Sequence, residues 1–119
     1  MRIGQIILRV SNLDRSLGFW SDTFGLTPIM RLGTFASLDG GGVELTLNEV
    51  AERPDDGSLT EIVFEVDDVM SAHADLASRG VPFEVEPRAV TSDGARELWA
   101  AHFHDPDGHL ASVVGWIDS

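Results

Sequence analysis

Residues 3–10 alternate in the period of a strand, with Ile6, Leu8 and Val10 directed one way and Gln5, Ile7 and Arg9 the other. Ser11 and Asp14 form a candidate capping box. A helix is predicted from about Asp14 to Phe24, with Leu17, Phe19, Trp20 and Phe24 available for burial and Gly25 placed to end it. Three short strands follow near Pro28–Leu32, Phe35–Leu38 and Val43–Asn48, and the turn Asp39-Gly-Gly-Gly42 separates the last two.

After a polar stretch containing Pro54, Asp55, Asp56 and Gly57, the same order returns. A strand at Glu61–Val66 leads to a helix capped by Asp68 and running to Arg79, with Gly80 at its end. Strands are predicted near Pro82–Glu86, Leu98–His104 and Leu110–Trp116, the last two joined by the turn Asp105-Pro-Asp-Gly108. The first strand of each half is nearly the same sentence written twice: Gln5-Ile-Ile-Leu-Arg-Val-Ser-Asn-Leu13 matches Glu61-Ile-Val-Phe-Glu-Val-Asp-Asp-Val69 at a constant offset, 61 − 5 = 56. A repeat of this kind fixes the architecture. The fold class is therefore α+β: two βαβββ modules forming curved mixed sheets around a cleft, with the helices outside. The expected organisation is one domain over 1–119, with module one at 1–50, a linker at 51–59 and module two at 60–119.

Composition narrows the function. A chain of 119 residues, 43% hydrophobic and 24% charged, has the size and make-up of a single globular domain. No apolar run approaches membrane-spanning length, and no signal-peptide pattern opens the sequence. The absence of cysteine excludes disulfides and thiolate chemistry, and the simplest compartment is the cytoplasm. The net charge of −12 repels phosphate backbones, so nucleic acid is not an expected partner, and without a membrane-length apolar run neither is a membrane. The same charge either serves solubility or draws a cationic ligand into an acidic groove. Nucleophilic and nucleotide-binding motifs are missing: Ser112 has no Gly-x-Ser-x-Gly context, and Gly40-Gly41-Gly42 reads as a hairpin turn.

Three stretches carry a resemblance that covers the chain: Leu8-Arg-Val-Ser-Asn-Leu-Asp-Arg-Ser-Leu-Gly-Phe-Trp20 with Phe24-Gly-Leu26, Val63-Phe-Glu-Val-Asp-Asp-Val69, and Phe103-His-Asp-Pro-Asp-Gly-His109. Together they resemble the vicinal oxygen chelate superfamily of glyoxalases, bleomycin-resistance proteins, fosfomycin-resistance enzymes and extradiol dioxygenases. The resemblance implies four metal-facing positions, which fall on Gln5, Glu44, Glu61 and Ser112. Ser112 stands where the family's metal enzymes use a glutamate that is also a proton-transfer base, a role serine does not fill unaided. Gln5, Glu44 and Glu61 are thus metal ligands only if a metal binds, with His102 a further imidazole. His102 and His104 share a strand face, where His-x-His also serves as polar decoration near a turn. By the same resemblance, Arg9 and Asn48 match the residues that bind the carboxylate end of a thiol conjugate. Arg9 equally suits an internal ion pair with Glu61 or Glu65. Trp20 reads as core. Trp99 and Trp116 lie on second-half strands, and Trp116 aligns by pseudo-symmetry with Asn48 on the face of Ser112 and Val114, placed to stack on a planar ligand; aromatics on strands also serve as core or dimer interface.

Two functional classes follow. The first is a small-molecule binding protein similar to bleomycin-resistance proteins, without a cofactor, taking a cationic or planar aromatic compound through Arg9, Asn48, Trp99, His102, Ser112 and Trp116. The alternative is a divalent-metal enzyme (Ni, Zn, Mn or Fe), glyoxalase-like or a dioxygenase, acting on a small oxygenated substrate. Homodimerisation is expected in either case, because a curved sheet with open edges invites pairing.

Overall fold

The computed structural model describes every residue except 57, 105, 107, 108 and 119. Gly57 of the linker and, apart from Pro106, the turn Asp105–Gly108 thus lie outside the described residues. The chain divides into two compact units, one formed by Gly4–Ile62 and the other by Met1–Ile3 with Val63–Ser119.

The first unit contains β1 (Arg2–Val10, entering from the other unit), α1 (Leu13–Leu17), a π-helical segment (Gly18–Thr23), β2 (Thr27–Leu32), β3 (Phe35–Asp39) and β4 (Glu44–Glu49). Its strands lie in the order β2-β3-β4-β1, antiparallel from β2 to β4, with β4 and β1 parallel. The alternation read from the sequence decides which face is buried. Leu8 and Val10 of β1 pack with Leu45 of β4 against a core of Leu13, Ala36, Leu38 and Leu47. Leu17, Trp20 and Leu26 close that core from the helical side.

The helix departs from its predicted form. Its cap is Asn12, which accepts a hydrogen bond from the Arg15 N–H at 3.0 Å, while Ser11 Oγ accepts from the Arg15 guanidinium. The Glu49 carboxylate takes the Leu13 N–H at 2.8 Å, a second anchor at the same helix start. After one and a half turns the winding widens, so that the Phe24 N–H bonds to the Phe19 carbonyl, an i→i+5 bond. That extra residue per turn changes which side chains face inward. Trp20 packs on the core, whereas Phe19 and Phe24, expected to be available for burial, are 49% and 63% exposed and touch Trp20 edge-on. Gly25 ends the segment at φ +101°, a backbone state that only glycine adopts at low cost.

The second unit contains β5 (Thr60–Glu65, of which Val63–Glu65 belong here), α2 (Val69–Ser78), β6 (Phe83–Ser92), β7 (Arg96–His104) and β8 (Leu110–Asp118). Strands run in the order β5-β8-β7-β6. Asp68 caps α2 by accepting the Ser71 N–H, as the sequence indicates. The helix rests on β8. A Cβ at Gly115 would lie 3.3 Å from the Val69 Cβ and 3.1 Å from the Val66 carbonyl, so any side chain there would press the helix start away by a few tenths of an ångström. Strand β6 extends six residues beyond the predicted Glu86, through Pro87. It does so with three register shifts against β7, consistent with an outer strand whose proline donates no ladder bond.

Among the described residues no helix is long and apolar enough to cross a membrane.

Candidate functional site

In the first unit the parallel β1–β4 register sets Gln5 beside Glu44 and Arg9 beside Asn48, on the face turned away from the core. Four of the candidate residues are therefore brought together on adjacent strands. Their hydrogen bonds are largely internal. Gln5 Oε1 accepts from Thr46 Oγ1 at 2.7 Å. The Arg9 guanidinium donates to Glu61 Oε1 at 2.8 Å and to the Ser58 carbonyl at 3.1 Å. Of the two carboxylates considered for Arg9, Glu61 is the partner; Glu65 pairs instead with Arg2 at 2.6 Å. Glu61 is only 4% exposed, and a carboxylate so buried needs the cation beside it.

This arrangement bears on a metal ion. Of the three ligand candidates, Gln5 already accepts from a hydroxyl and Glu61 from a guanidinium, and a guanidinium beside a carboxylate opposes the approach of a cation. Among the described residues, no three His, Cys, Asp or Glu side chains gather as a ligand group. The donor set does not fit a divalent ion in this arrangement.

In the second unit the antiparallel β7–β8 register pairs Leu98 with Trp116, Ala100 with Val114 and His102 with Ser112. These side chains share the face opposite α2, since Gly115, between Val114 and Trp116, is turned to the helix. Trp99 does not join them. It is the register partner of Gly115 and lies on the α2 side of the sheet, one strand position out of phase with the other candidates. Ser112 is 1% exposed, and its Oγ has no hydrogen-bond partner among the described residues; the same holds for Ser37 of β3. A buried hydroxyl left so carries an unspent hydrogen bond.

The face ends in a cavity of about 380 Å³, walled by Leu98, Val114 and Trp116 on the sheet and by Arg2, Glu65 and Asp67 at its rim. Trp116 is 41% exposed. Glu65 is held by Arg2, while Asp67 has no ion pair among the described residues. An apolar wall carrying one large π-face, with two carboxylates beside it, is complementary to a flat cation. Trp116 was legible in the sequence. Arg2, Glu65 and Asp67 were not read as cavity residues, because that requires knowing where the end of β5 lies beside β8.

A cation already occupies the indole. The Arg96 guanidinium lies 4.5 Å from the Trp116 ring centroid. Arg96 is positioned by the turn before β7, where Asp93 Oδ1 accepts the backbone N–H groups of Arg96 at 2.7 Å and Ala95 at 3.0 Å. These two bonds, the Arg96 one foremost, hold the Asp93 carboxyl below the usual carboxylate range, with the Arg96 guanidinium adding to the effect. A carboxyl whose pKa is lowered on folding stabilises the turn above its unfolded value, and that contribution is lost as pH falls through the folded value. The Asp93 carboxyl resonance should therefore titrate below the usual carboxylate range, with the Ala95 and Arg96 amide resonances shifting in the same step. Asp93→Asn should abolish that step, and titration of Asp93 within the ordinary range would refute it.

Residues 2–113 match the Glyoxalase/Bleomycin resistance protein/Dioxygenase superfamily, and the chain belongs to it. The uncharacterized protein YraH of Bacillus subtilis (strain 168) is 30% identical over 95% of this chain and 97% of its own length. The metallothiol transferase FosB of Lysinibacillus sphaericus (strain C3-41) is 26% identical over 90% of this chain and 77% of its own. Among solved structures, a superfamily member from Vibrio splendidus 12B01 superposes with a TM-score of 0.77 at 18% identity, covering 96% of this chain and 97% of that one. The last likeness establishes the fold, which hosts several chemistries.

Proposed function

We propose that this protein binds a small planar aromatic cation in the Trp116 cavity, as a binding protein and not as a metal enzyme. The observation that carries this reading is the conjunction, in one cavity, of the exposed indole of Trp116 with the carboxylates of Glu65 and Asp67. Stacking supplies affinity through the apolar faces, and the carboxylates select the sign of charge. The overall charge of −12 raises the local concentration of cations around the molecule. Ser112, four residues from Trp116 on the same face of β8 and buried beyond the cavity lining, offers its unpaired hydroxyl to a polar substituent that reaches past Val114, with His102 beside it. Arg9 and Asn48 lie outside this set, Arg9 being spent on Glu61 and Ser58.

The test is calorimetric titration with proflavine, a flat monocation, against 9-anthroate, a flat anion of similar size. Proflavine should bind and 9-anthroate should not. Trp116→Ala should weaken proflavine about tenfold, roughly 1.4 kcal/mol. Trp99→Phe, on the other face of the sheet, should leave the affinity unchanged. Equal binding of the two compounds, or indifference to Trp116→Ala, would overturn the reading.

One observation favours a second reading, a divalent-metal enzyme: Gln5 and Glu44 are register partners on adjacent strands. Nickel, zinc, manganese or iron(II) bound at micromolar affinity or better, and lost in Glu44→Ala, would establish it.

The proposal includes a homodimer. Strand β2 is outermost in its unit and exposed along its whole length, with Ile29 at 58% and Leu32 at 60%. An apolar outer strand of this kind calls for a partner. Sedimentation should give twice the chain mass, and Ile29→Lys with Leu32→Lys should shift it to the monomer; a wild-type monomer at 100 micromolar would contradict the assignment.

A further inference from the structure

The chain supplies two cations to the proposed site: Arg2 lines the cavity, and Arg96, outside that lining, covers the Trp116 ring. Arg96 lies over the Trp116 ring, with its centroid 4.5 Å away, and Arg2 reaches Glu65 at 2.6 Å. Both arginines are held loosely. The Arg2 and Glu65 side chains are 65% and 48% exposed, and that of Arg96 is 48% exposed with its carboxylate contact to Asp93 stretched to 3.4 Å. Exposed pairs and exposed cation–π contacts are weak enough for a ligand to replace. They are also aimed at the two features that would recognise a ligand, the indole face and a carboxylate.

We propose that Arg2, in the cavity, and Arg96, on the Trp116 ring, are resident cations of this site, and that the ligand class is a planar aromatic dication, one charge replacing Arg96 at the indole and the other replacing Arg2 at Glu65. This inference rests on the cavity being the binding site. Its logic is exchange. A neutral aromatic would displace Arg96 from Trp116 without offering a charge in return, and a monocation restores one contact of two. A flat dication restores both and releases two arginines to water. The residents therefore act as a threshold that weakens neutral and singly charged aromatics relative to doubly charged ones. The turn built on Asp93 sets the arginine over the ring, because its two backbone hydrogen bonds fix the first residues of β7.

The experiment titrates the full chain with proflavine and with 4′,6-diamidino-2-phenylindole, a flat dication, by calorimetry. Four proteins are compared: wild type, Arg96→Gln, Arg2→Gln and Arg79→Gln. Arg79 pairs with Asp75 at the end of α2, across the sheet from Trp116, so its variant makes the same change in net charge away from the cavity. The wild type should prefer the dication by about tenfold. Arg96→Gln and Arg2→Gln should each tighten proflavine about threefold, the size of an exposed cation–π contact or surface ion pair. Arg79→Gln should change nothing. Unchanged or weakened proflavine binding in both cavity variants overturns the resident role while leaving the cavity reading intact, and so does equal tightening in Arg79→Gln. Absence of binding by either compound to all four proteins overturns the cavity reading, and this inference with it.

Discussion

Replacing Leu47 with alanine is expected to lower stability by roughly 2–5 kcal/mol, the range for emptying a buried leucine site. Leu47 is fully buried on β4, between Ala36 of β3 and Leu8 of β1 in the strand registers, and packs in the cluster with Leu13 and Leu38. Two strands and the short helix α1 meet at this cluster, and α1 has only five residues with which to close over a vacancy. The loss should appear as a lower urea midpoint with an unchanged slope. A cost below about 1 kcal/mol would mean that this core collapses around the missing methyl groups.

Breaking the Arg9–Glu61 pair should have an effect of similar size. Arg9→Ala leaves the Glu61 carboxylate, with 5% of its side chain exposed, without its cation and should cost about 3 kcal/mol, the lower end for a broken buried pair. The lower end applies because the Arg9 side chain keeps 18% of its surface in water. Arg9→Met combined with Glu61→Leu should recover most of the loss, since a buried pair contributes little beyond its apolar replacement. Proflavine affinity should be untouched in this double variant. The contrast matters because the same two residues stand at positions that the family resemblance assigns to ligand and metal. A double variant that remained as unstable as Arg9→Ala would contradict an internal role for the pair.

The strands and the second helix were legible because their signals are local. Alternation from Ile3 to Val10 places Leu8 and Val10 on the core, and Asp68 caps α2 where the repeat offset puts it. The first helix was legible only in part. A 3.6-residue period sets Phe24 on the face of Leu17 and Trp20, but the π-helical widening at Gly18–Thr23 adds a residue that no periodicity reveals, and Phe24 turns outward; Phe19, two residues from Leu17, is off that face and is exposed as well. Ser11 and Asn12 are adjacent capping residues, and backbone geometry chose Asn12. Strand β6 runs past the expected Glu86 through Pro87, which an outer strand tolerates at a bulge.

Site residues divided in the same way. Trp116, Ser112 and His102 follow from strand phase together with the β7–β8 register. Trp99, three residues from His102 on β7, falls on the opposite face, a phase that strand alternation already carries. The ambiguity over Arg9 needed a distance, and 2.8 Å to Glu61 supplied it. Arg2 and Asp67 join the cavity, and Arg96 the Trp116 ring, through contacts far apart in the chain, which no local pattern encodes.

The three tryptophans offer the most direct measurement of the central claim. Their indole N–H resonances report separately on the first core (Trp20), the α2 side of the second unit (Trp99) and the cavity (Trp116). Titration of isotope-labelled protein with proflavine should move the Trp116 indole resonance saturably, together with the amides of Val114, Gly115 and Asp67, and leave Trp20 and Trp99 in place. Saturable shifts confined to Gln5, Glu44 and Asn48, with Trp116 unmoved, would contradict the account and place binding on the first unit instead.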